Sequence, residues 1–295
     1  MSDFSCLTGK EAVLNEDERL KMATNQYLTF KEYERAAEAL HTLAPILLLE
    51  FARYADSESI RNEIARNFIA RADMTVRSVF QLWDACDYTN CWILHRGLID
   101  RLFHIDEILQ NDSFQAFDDW SFKQLYEVAE RLRSDPFIGG QVDGLVQRAT
   151  DEERKRYRRL VANPPIWRRP KAKDVAKRMD LDFLYSYGYD YASRFVHPMA
   201  HDGEDDFSAM IKVEQPSELA KRGIVVLSNS VLIATMIFQD ALNASSLSWM
   251  AVVFDAIDGI RGFLCDAAPE HHVPLSKIAL ICDEKKPLAQ PQSGG

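Results

Sequence analysis

The sequence predicts an all-α protein folded as a single bundle of about eight helices. Apolar residues recur at the 3.6-residue spacing of amphipathic helices along most of the 295 residues. No alternating stretch is long enough to indicate a strand. The 12 glycines and 11 prolines are too few for a turn-rich all-β fold or a broadly disordered chain.

Capping residues and apolar spacing place the helices in order. Thr29 is predicted to cap the first helix, and Pro45 to kink or divide it, because proline lacks a backbone donor. Ser57 or Ser59 is predicted to start the second helix. The later helices are expected at about 91–109, 113–133, 182–199, 217–243 and 245–265.

The core is expected to form from apolar side chains on three of these helices. A charge-free run at 224–238 is shorter than the roughly 20 apolar residues of a membrane span, so it is interpreted as a buried core helix and no membrane contact is expected. The predicted core residues are Leu94, Leu98, Ile105, Val225, Leu232, Ile233, Ile237, Val252 and Val253.

The charge distribution divides the chain. The net charge is −10, which argues against a protein that coats nucleic acid with its whole surface, yet residues 148–178 hold 12 Lys/Arg against 4 Asp/Glu. We interpret residues 1–28 as an extension, 29–268 as the helical domain with a basic insertion at 148–178, and 269–295 as a loosely ordered tail.

The basic insertion, interrupted by prolines, is predicted to protrude from the bundle. It indicates either a contact surface for a polyanion or a solvated face that pairs with the acidic remainder. Trp167, followed by Arg168 and Arg169, is placed to stack on a base.

Several classes of site are not indicated. The five cysteines include no Cys-x-x-Cys and the N-terminus shows no secretory signal, so a reducing cytoplasm is expected. No glycine-rich nucleotide loop or serine-hydrolase elbow occurs, and no cofactor is expected. His197 and His201 precede an acidic stretch, but no His-Glu-x-x-His is present, and a solvated acidic loop is favoured over a metal site.

Two short constellations carry candidate chemistry. Tyr189, Ser193 and His197 are four residues apart and would form one polar ridge on a helix, with Arg194 flanking it and reaching towards His201. The ridge is either an active site at a helix bent by Pro198, or a structural ridge in which Ser193 bonds a backbone carbonyl.

Arg96 and Asp100 form the second constellation, an i, i+4 pair on a very apolar helix. A buried arginine requires a partner. The pair is therefore either an internal lock between helices, or an arginine held by Asp100 and directed at an anionic ligand.

The Arg-x3-Asp of Arg96 and Asp100, followed by the Tyr-x3-Ser-x3-His that begins at Tyr189, resembles a bacterial all-helical family of unknown function. We relate that family to the HEPN (higher eukaryote and prokaryote nucleotide-binding) superfamily. HEPN ribonucleases are similar in using Arg-x4-6-His, which Arg194 and His201 match with six intervening residues.

The resemblance implies a HEPN-like bundle and a metal-independent endoribonuclease, of the kind that acts as a toxin or in antiphage defence. It implies His201 as base, Arg194 as the group that stabilises charge on the phosphate, and Ser193 or His197 as an auxiliary. It also implies a homodimer, because one Arg-His motif is half a site. Phe195 and Pro198 depart from the motif and favour the alternative, a non-catalytic module that binds a nucleotide, RNA or a partner protein.

Overall fold

The computed structural model describes residues 16–56, 59–136, 149–197, 217–248 and 250–267, together with residues 200, 203, 207 and 211. The side chains of 16–32, 217–224 and 265–267 are not described. All regular structure in these ranges is helical, which confirms the all-α prediction. His201, Pro198 and the predicted tail at 269–295 lie outside the described residues.

Nine α-helices and one π-helix make up the described part of the chain. In order, they are α1 Glu16–Tyr54, α2 Ile60–Asp84, α3 Tyr88–Gln110, α4 Phe114–Ser134, α5 Asp151–Ala162, α6 Ala172–Arg178, a π-helix Leu184–Asp190, α7 Tyr191–Val196, α8 Ser217–Ala244 and α9 Ala251–Ala267.

The first helix differs from the prediction at both of its marked residues. It begins at Glu16 rather than at Thr29, and it runs through Pro45 without a break. Pro45 lies on the exposed face, while Ala44 and Leu47 are buried on the opposite side. Packing of that buried face outweighs the backbone hydrogen bond that the proline removes, so the helix continues.

The core is built around α8, which packs against α2 and α3, while α1 packs against α2 and α9. Val252 was predicted to be a core residue, and this was wrong: its side chain is 70% exposed. Neighbouring helix positions point about 100° apart, so Val253 faces the core and Val252 faces solvent. Leu94 and Val225 are partly buried. The other predicted core residues are buried, namely Leu98, Ile105, Leu232, Ile233, Ile237 and Val253.

The apolar stretch of α8 from Val225 to Ala244 has a mean hydropathy of 1.6, high enough for a membrane span by composition and length. However, 89% of its apolar window is buried inside the protein. Neighbouring helices already cover this surface, so α8 is a core helix.

The basic segment begins with a well-capped helix. Thr150 and Glu153 form a reciprocal capping box at the start of α5. Arg156 of α5 donates hydrogen bonds to Asp118 and Asp119 of α4. These contacts hold α5 against α4. The other basic side chains that the structure describes in the segment are exposed.

Candidate functional site

Arg96 joins the two constellations that the sequence singled out. Its Nε donates to the Ser193 hydroxyl at 2.9 Å, and its Nη2 donates to the Tyr189 hydroxyl at 3.0 Å. The guanidinium carbon also lies 4.5 Å from the centre of the Tyr189 ring. Asp100 completes the group, with a carboxylate oxygen 3.7 Å from Arg96 Nη1. We call these four residues the Arg96 cluster.

The Ser193 hydroxyl is fully engaged within this cluster. It donates to the Tyr189 carbonyl at 2.7 Å while it accepts from Arg96. Its proton is therefore committed to a backbone oxygen, as one of the two sequence interpretations anticipated. A serine nucleophile requires a base at its hydroxyl proton, and this arrangement provides a positioning contact instead.

Tyr189 is held as a neutral phenol. Burial raises the pKa of Tyr189 above its ordinary value, and the Asp100 carboxylate, which hydrogen-bonds the phenol, raises this pKa further. The positive charge of Arg96 opposes that shift. At neutral pH the phenol can thus donate to Asp100 while it accepts from Arg96, so the cluster is a closed network that joins α3 to the π-helix and α7.

The π-helix brings Tyr189 into this position. Its Gly188 is buried against α3, where a Cβ atom would lie 2.6 Å from Ile99 Cδ1 and 3.4 Å from His95 Nε2. The absence of a side chain allows the π-helix to approach α3 closely. Such single-turn π segments recur at functional sites because they re-aim neighbouring side chains.

The predicted polar ridge ends at Ser193. Helix α7 stops at Val196, and His197 has extended backbone angles, φ −108° and ψ 124°. A residue that precedes proline is sterically pushed out of the helical region, which explains why His197 leaves the ridge. His197 is exposed, and the predicted base His201 lies beyond the described residues.

Arg194 lies next to the Arg96 cluster in sequence, but its guanidinium is exposed. It stacks at 4.7 Å over the Tyr191 ring and at 4.9 Å over the Phe195 ring. Within the described parts of the chain no carboxylate pairs with it. Phe195, which departs from the HEPN pattern, thus helps to hold Arg194 through its ring face.

A cavity of about 380 Å³ adjoins the Arg96 cluster and shares Asp100 with it. Three arginines line it from three different elements: Arg71 of α2, Arg101 of α3 and Arg169 from the loop before α6. His104 of α3 completes the polar part of the wall. The remaining lining side chains are Asn67, Phe68, Phe117 and Trp120, with Gly97 between them.

His104 is neutral in the folded protein. Its Nδ1 donates to the Asp100 carbonyl, so Nε2 is the unprotonated nitrogen of the neutral ring. Burial lowers the pKa of His104, and the charges of Arg169 and Arg101 lower it further against the opposing effect of Asp100. The ring therefore presents an acceptor nitrogen, not a cation, in an arginine-rich cavity.

The three basic-segment residues predicted to bind a ligand have different surroundings. Arg169 lines the cavity, and Arg168 is exposed. Trp167 is only 5% exposed and packs against Phe117, Trp120 and His104 at ring distances of 4.8, 4.6 and 5.6 Å. Trp167 thus supports the aromatic wall from behind, and Trp120 is the tryptophan that lines the cavity.

Arg71, Phe117 and Trp120 line the cavity but were not found by sequence reasoning. Arg71 carries no local signal, because it reaches the cavity only through the packing of α2 against α3. Phe117 and Trp120, three residues apart on α4, show the spacing of one helix face and could have been recognised as an aromatic wall. Within the ranges that the structure describes, no group of three His, Cys, Asp or Glu side chains could hold a metal ion.

Residues 62–209 match the model of a family of unknown function, DUF5677. The chain belongs to this family. The DUF5677 match includes the whole Arg96 cluster and every residue that lines the cavity. No curated protein matches the chain, and no solved structure matches it.

The Arg96 cluster predicts a measurable coupling between α3 and α7 of this DUF5677 protein. Arg96→Met is expected to lower the free energy of unfolding by about 1–3 kcal/mol, because it removes two charged hydrogen bonds from partly buried hydroxyls. In a double-mutant cycle with Ser193→Ala, we expect a coupling of at least about 0.5 kcal/mol. Chemical denaturation measures both values.

Arg66→Met is the control for this measurement. Arg66 is exposed on α2, with its guanidinium 3.9 Å from Glu63, and its replacement should change stability by no more than about 0.5 kcal/mol. Strict additivity of Arg96→Met and Ser193→Ala would contradict a stabilising Arg96 cluster.

Proposed function

We propose that this protein binds RNA through the basic segment, which adjoins the Arg96 cluster. The observation that carries the proposal is the set of uncompensated cations in the segment. Arg154, Arg156, Arg159 and Arg178 pair with carboxylates. The other basic side chains that the structure describes there have no carboxylate partner among the described residues, namely Lys155, Arg158, Arg168, Arg169, Lys171, Lys173 and Lys177.

An acidic protein with net charge −10 would repel RNA unless positive charge were concentrated in one place. The basic segment supplies that concentration, and the seven residues without a described carboxylate partner are all exposed. Arg169 of the basic segment and Asp100 of the Arg96 cluster line the same cavity. The basic segment therefore adjoins the Arg96 cluster. Phosphate contacts of this kind supply affinity without sequence preference.

Binding of a labelled single-stranded RNA, followed by fluorescence anisotropy, tests the proposal. The double variant Lys155→Gln/Arg158→Gln is expected to lower the affinity about tenfold, because it removes two exposed cations from α5. The dependence of log K on log salt should become shallower by about 0.7 for each lost phosphate contact.

Arg53→Gln/Arg66→Gln is the matched control. It removes the same charge from exposed positions on α1 and α2, outside the basic segment, and should leave RNA affinity almost unchanged. Equal losses in the two double variants would mean that net charge, not the basic segment, determines binding, and would contradict the proposal.

RNA cleavage is a second candidate function, favoured by the exposed guanidinium of Arg194, which follows Ser193 of the Arg96 cluster and has no carboxylate partner among the residues that the structure describes. In this HEPN-like reaction a histidine, His201 in the sequence hypothesis, takes the proton of a ribose 2′-hydroxyl. The 2′-oxygen forms a bond to phosphorus, the 5′-oxygen leaves and takes up a proton, and Arg194 stabilises the phosphate charge. We propose that a cytoplasmic homodimer would complete the site, since one motif supplies one arginine and one histidine.

Incubation of RNA with wild type and with Arg194→Ala/His201→Ala, with and without chelator, distinguishes cleavage from binding. Chelator-resistant cleavage that leaves 2′,3′-cyclic phosphate ends and is lost in the variant supports an enzyme, and light scattering should then show a dimer. Binding without cleavage assigns the protein to the non-catalytic class.

A further inference from the structure

Among the residues that the structure describes, the arginines around the cavity lack counter-charges. None of Arg71, Arg101 and Arg169 forms an ion pair with a carboxylate in the portion of the chain that the structure describes. Arg101 donates to the Gly97 carbonyl at 3.2 Å, which does not neutralise its charge. Asp100 is the one carboxylate among the described lining residues, and it already contacts Arg96 and Tyr189.

The crowded cations also disfavour one another. Burial lowers the pKa of Arg101, and the charge of Arg71 lowers it further, while Asp100 only partly offsets both effects. An anion placed between these guanidinium groups would reverse the repulsion and supply acceptors for their N–H groups. The cavity is therefore electrostatically arranged for an anionic ligand.

Part of the cavity wall is aromatic. Phe117 and Trp120 line the cavity together with Phe68, and their rings are fixed by edge and tilted contacts with the buried Trp167. Aromatic faces of this kind stack on planar rings. A volume of about 380 Å³ is at the small end of ligand pockets, which suits one ring and one anionic group better than an extended polymer.

We propose that this cavity binds a nucleotide 5′-phosphate monoester, either a free nucleoside monophosphate or the 5′-phosphorylated end of an RNA strand. The phosphate lies among Arg71, Arg101 and Arg169, and the base lies against Trp120 and Phe117. A monoester near neutral pH carries almost two negative charges, which matches three arginines better than the single charge of an internal phosphodiester. His104 Nε2 accepts a hydrogen bond from the ligand.

The RNA source rests on the proposed function, whereas the free-nucleotide source does not. Calorimetry at pH 7.5 therefore compares AMP with adenosine and with inorganic phosphate. Anisotropy compares one RNA sequence carrying a 5′-phosphate with the same sequence carrying a 5′-hydroxyl. We expect the 5′-phosphate to improve the affinity at least about tenfold in one or both comparisons, because charged hydrogen bonds to arginine are strong.

Arg71→Gln/Arg169→Gln should abolish the preference for the 5′-phosphate. Both residues are exposed, so the variant is expected to fold, and a thermal melt checks this. Lys155→Gln/Arg158→Gln is the control: it should weaken both RNAs equally and leave the ratio of their affinities unchanged, because neither residue lines the cavity.

Each outcome bears on the proposal. AMP binding without any RNA binding supports the pocket and removes the proposed function. A preference confined to RNA assigns the 5′ end as the source. If inorganic phosphate binds as tightly as AMP, the proposed contact of the base with Trp120 and Phe117 is overturned. Equal affinity for the phosphorylated and unphosphorylated forms of both ligands overturns the whole proposal. So does a preference that survives in Arg71→Gln/Arg169→Gln.

Discussion

Phe238→Ala is expected to lower the free energy of unfolding by about 3–5 kcal/mol, the largest effect of any single substitution considered. Phe238 is fully buried on α8, the helix that packs against both α2 and α3. Truncation removes the transfer free energy of the ring and leaves a cavity that three packed helices cannot close. Urea unfolding followed by circular dichroism measures the change.

Phe207→Ala provides the same substitution in a different environment. Phe207 is 58% exposed, and its replacement should change stability by no more than about 0.5 kcal/mol. Similar losses in the two variants would show that α8 is not the centre of the core. A change in the denaturant slope of Phe238→Ala would indicate loss of two-state unfolding rather than a simple cavity.

Acidification from pH 7 to pH 5 is expected to cost about 2 kcal/mol of stability through His95 alone. His95 is fully buried; its Nδ1 lies 3.0 Å from the Ser230 hydroxyl, while its Nε2 has no hydrogen-bond partner in the part of the chain that the structure describes. Burial lowers the pKa of His95 from 6.5 to about 3. Below about pH 6.5 His95 therefore binds a proton in the unfolded chain but stays unprotonated in the folded protein. The free energy of unfolding consequently falls as the pH drops from 7 to 5.

His95→Gln isolates this contribution. Glutamine retains a polar group near Ser230 but does not titrate, so the loss of stability between pH 7 and pH 5 should be smaller by about 2 kcal/mol than in wild type. The packing cost of the substitution cancels because the stabilities at pH 7 and pH 5 are compared within the same protein. An NMR titration that shows His95 protonated near pH 6 in the folded protein would contradict this account.

The sequence predicted the helical class and most of the core, because apolar periodicity reports directly which face of a helix is buried. Leu232, Ile233 and Ile237 lie on a helix so apolar that any orientation buries them. Val252 was assigned wrongly because both adjacent valines were placed in the core, whereas neighbouring helix positions point about 100° apart and only Val253 is buried.

The candidate site was only partly accessible from the sequence. Arg96 and Asp100 were recognised as a pair that needs partners, and Tyr189 and Ser193 as a ridge, but their mutual contact depends on the packing of α7 against α3. The π-helix was not foreseen, since its extra residue per turn arises from the tertiary fit of Gly188 and not from a local propensity. Arg71 was missed for the same kind of reason.

The position of α8 late in the chain has a consequence for biosynthesis. The apolar faces of α2 and α3 are covered by α8, and α8 begins more than a hundred residues after α3 ends. While the ribosome translates the basic segment, the apolar faces of α2 and α3 in the nascent polypeptide are therefore still exposed to solvent. Such exposed surface is a target for chaperones and a source of aggregation until Ser217–Ala244 emerges from the exit tunnel.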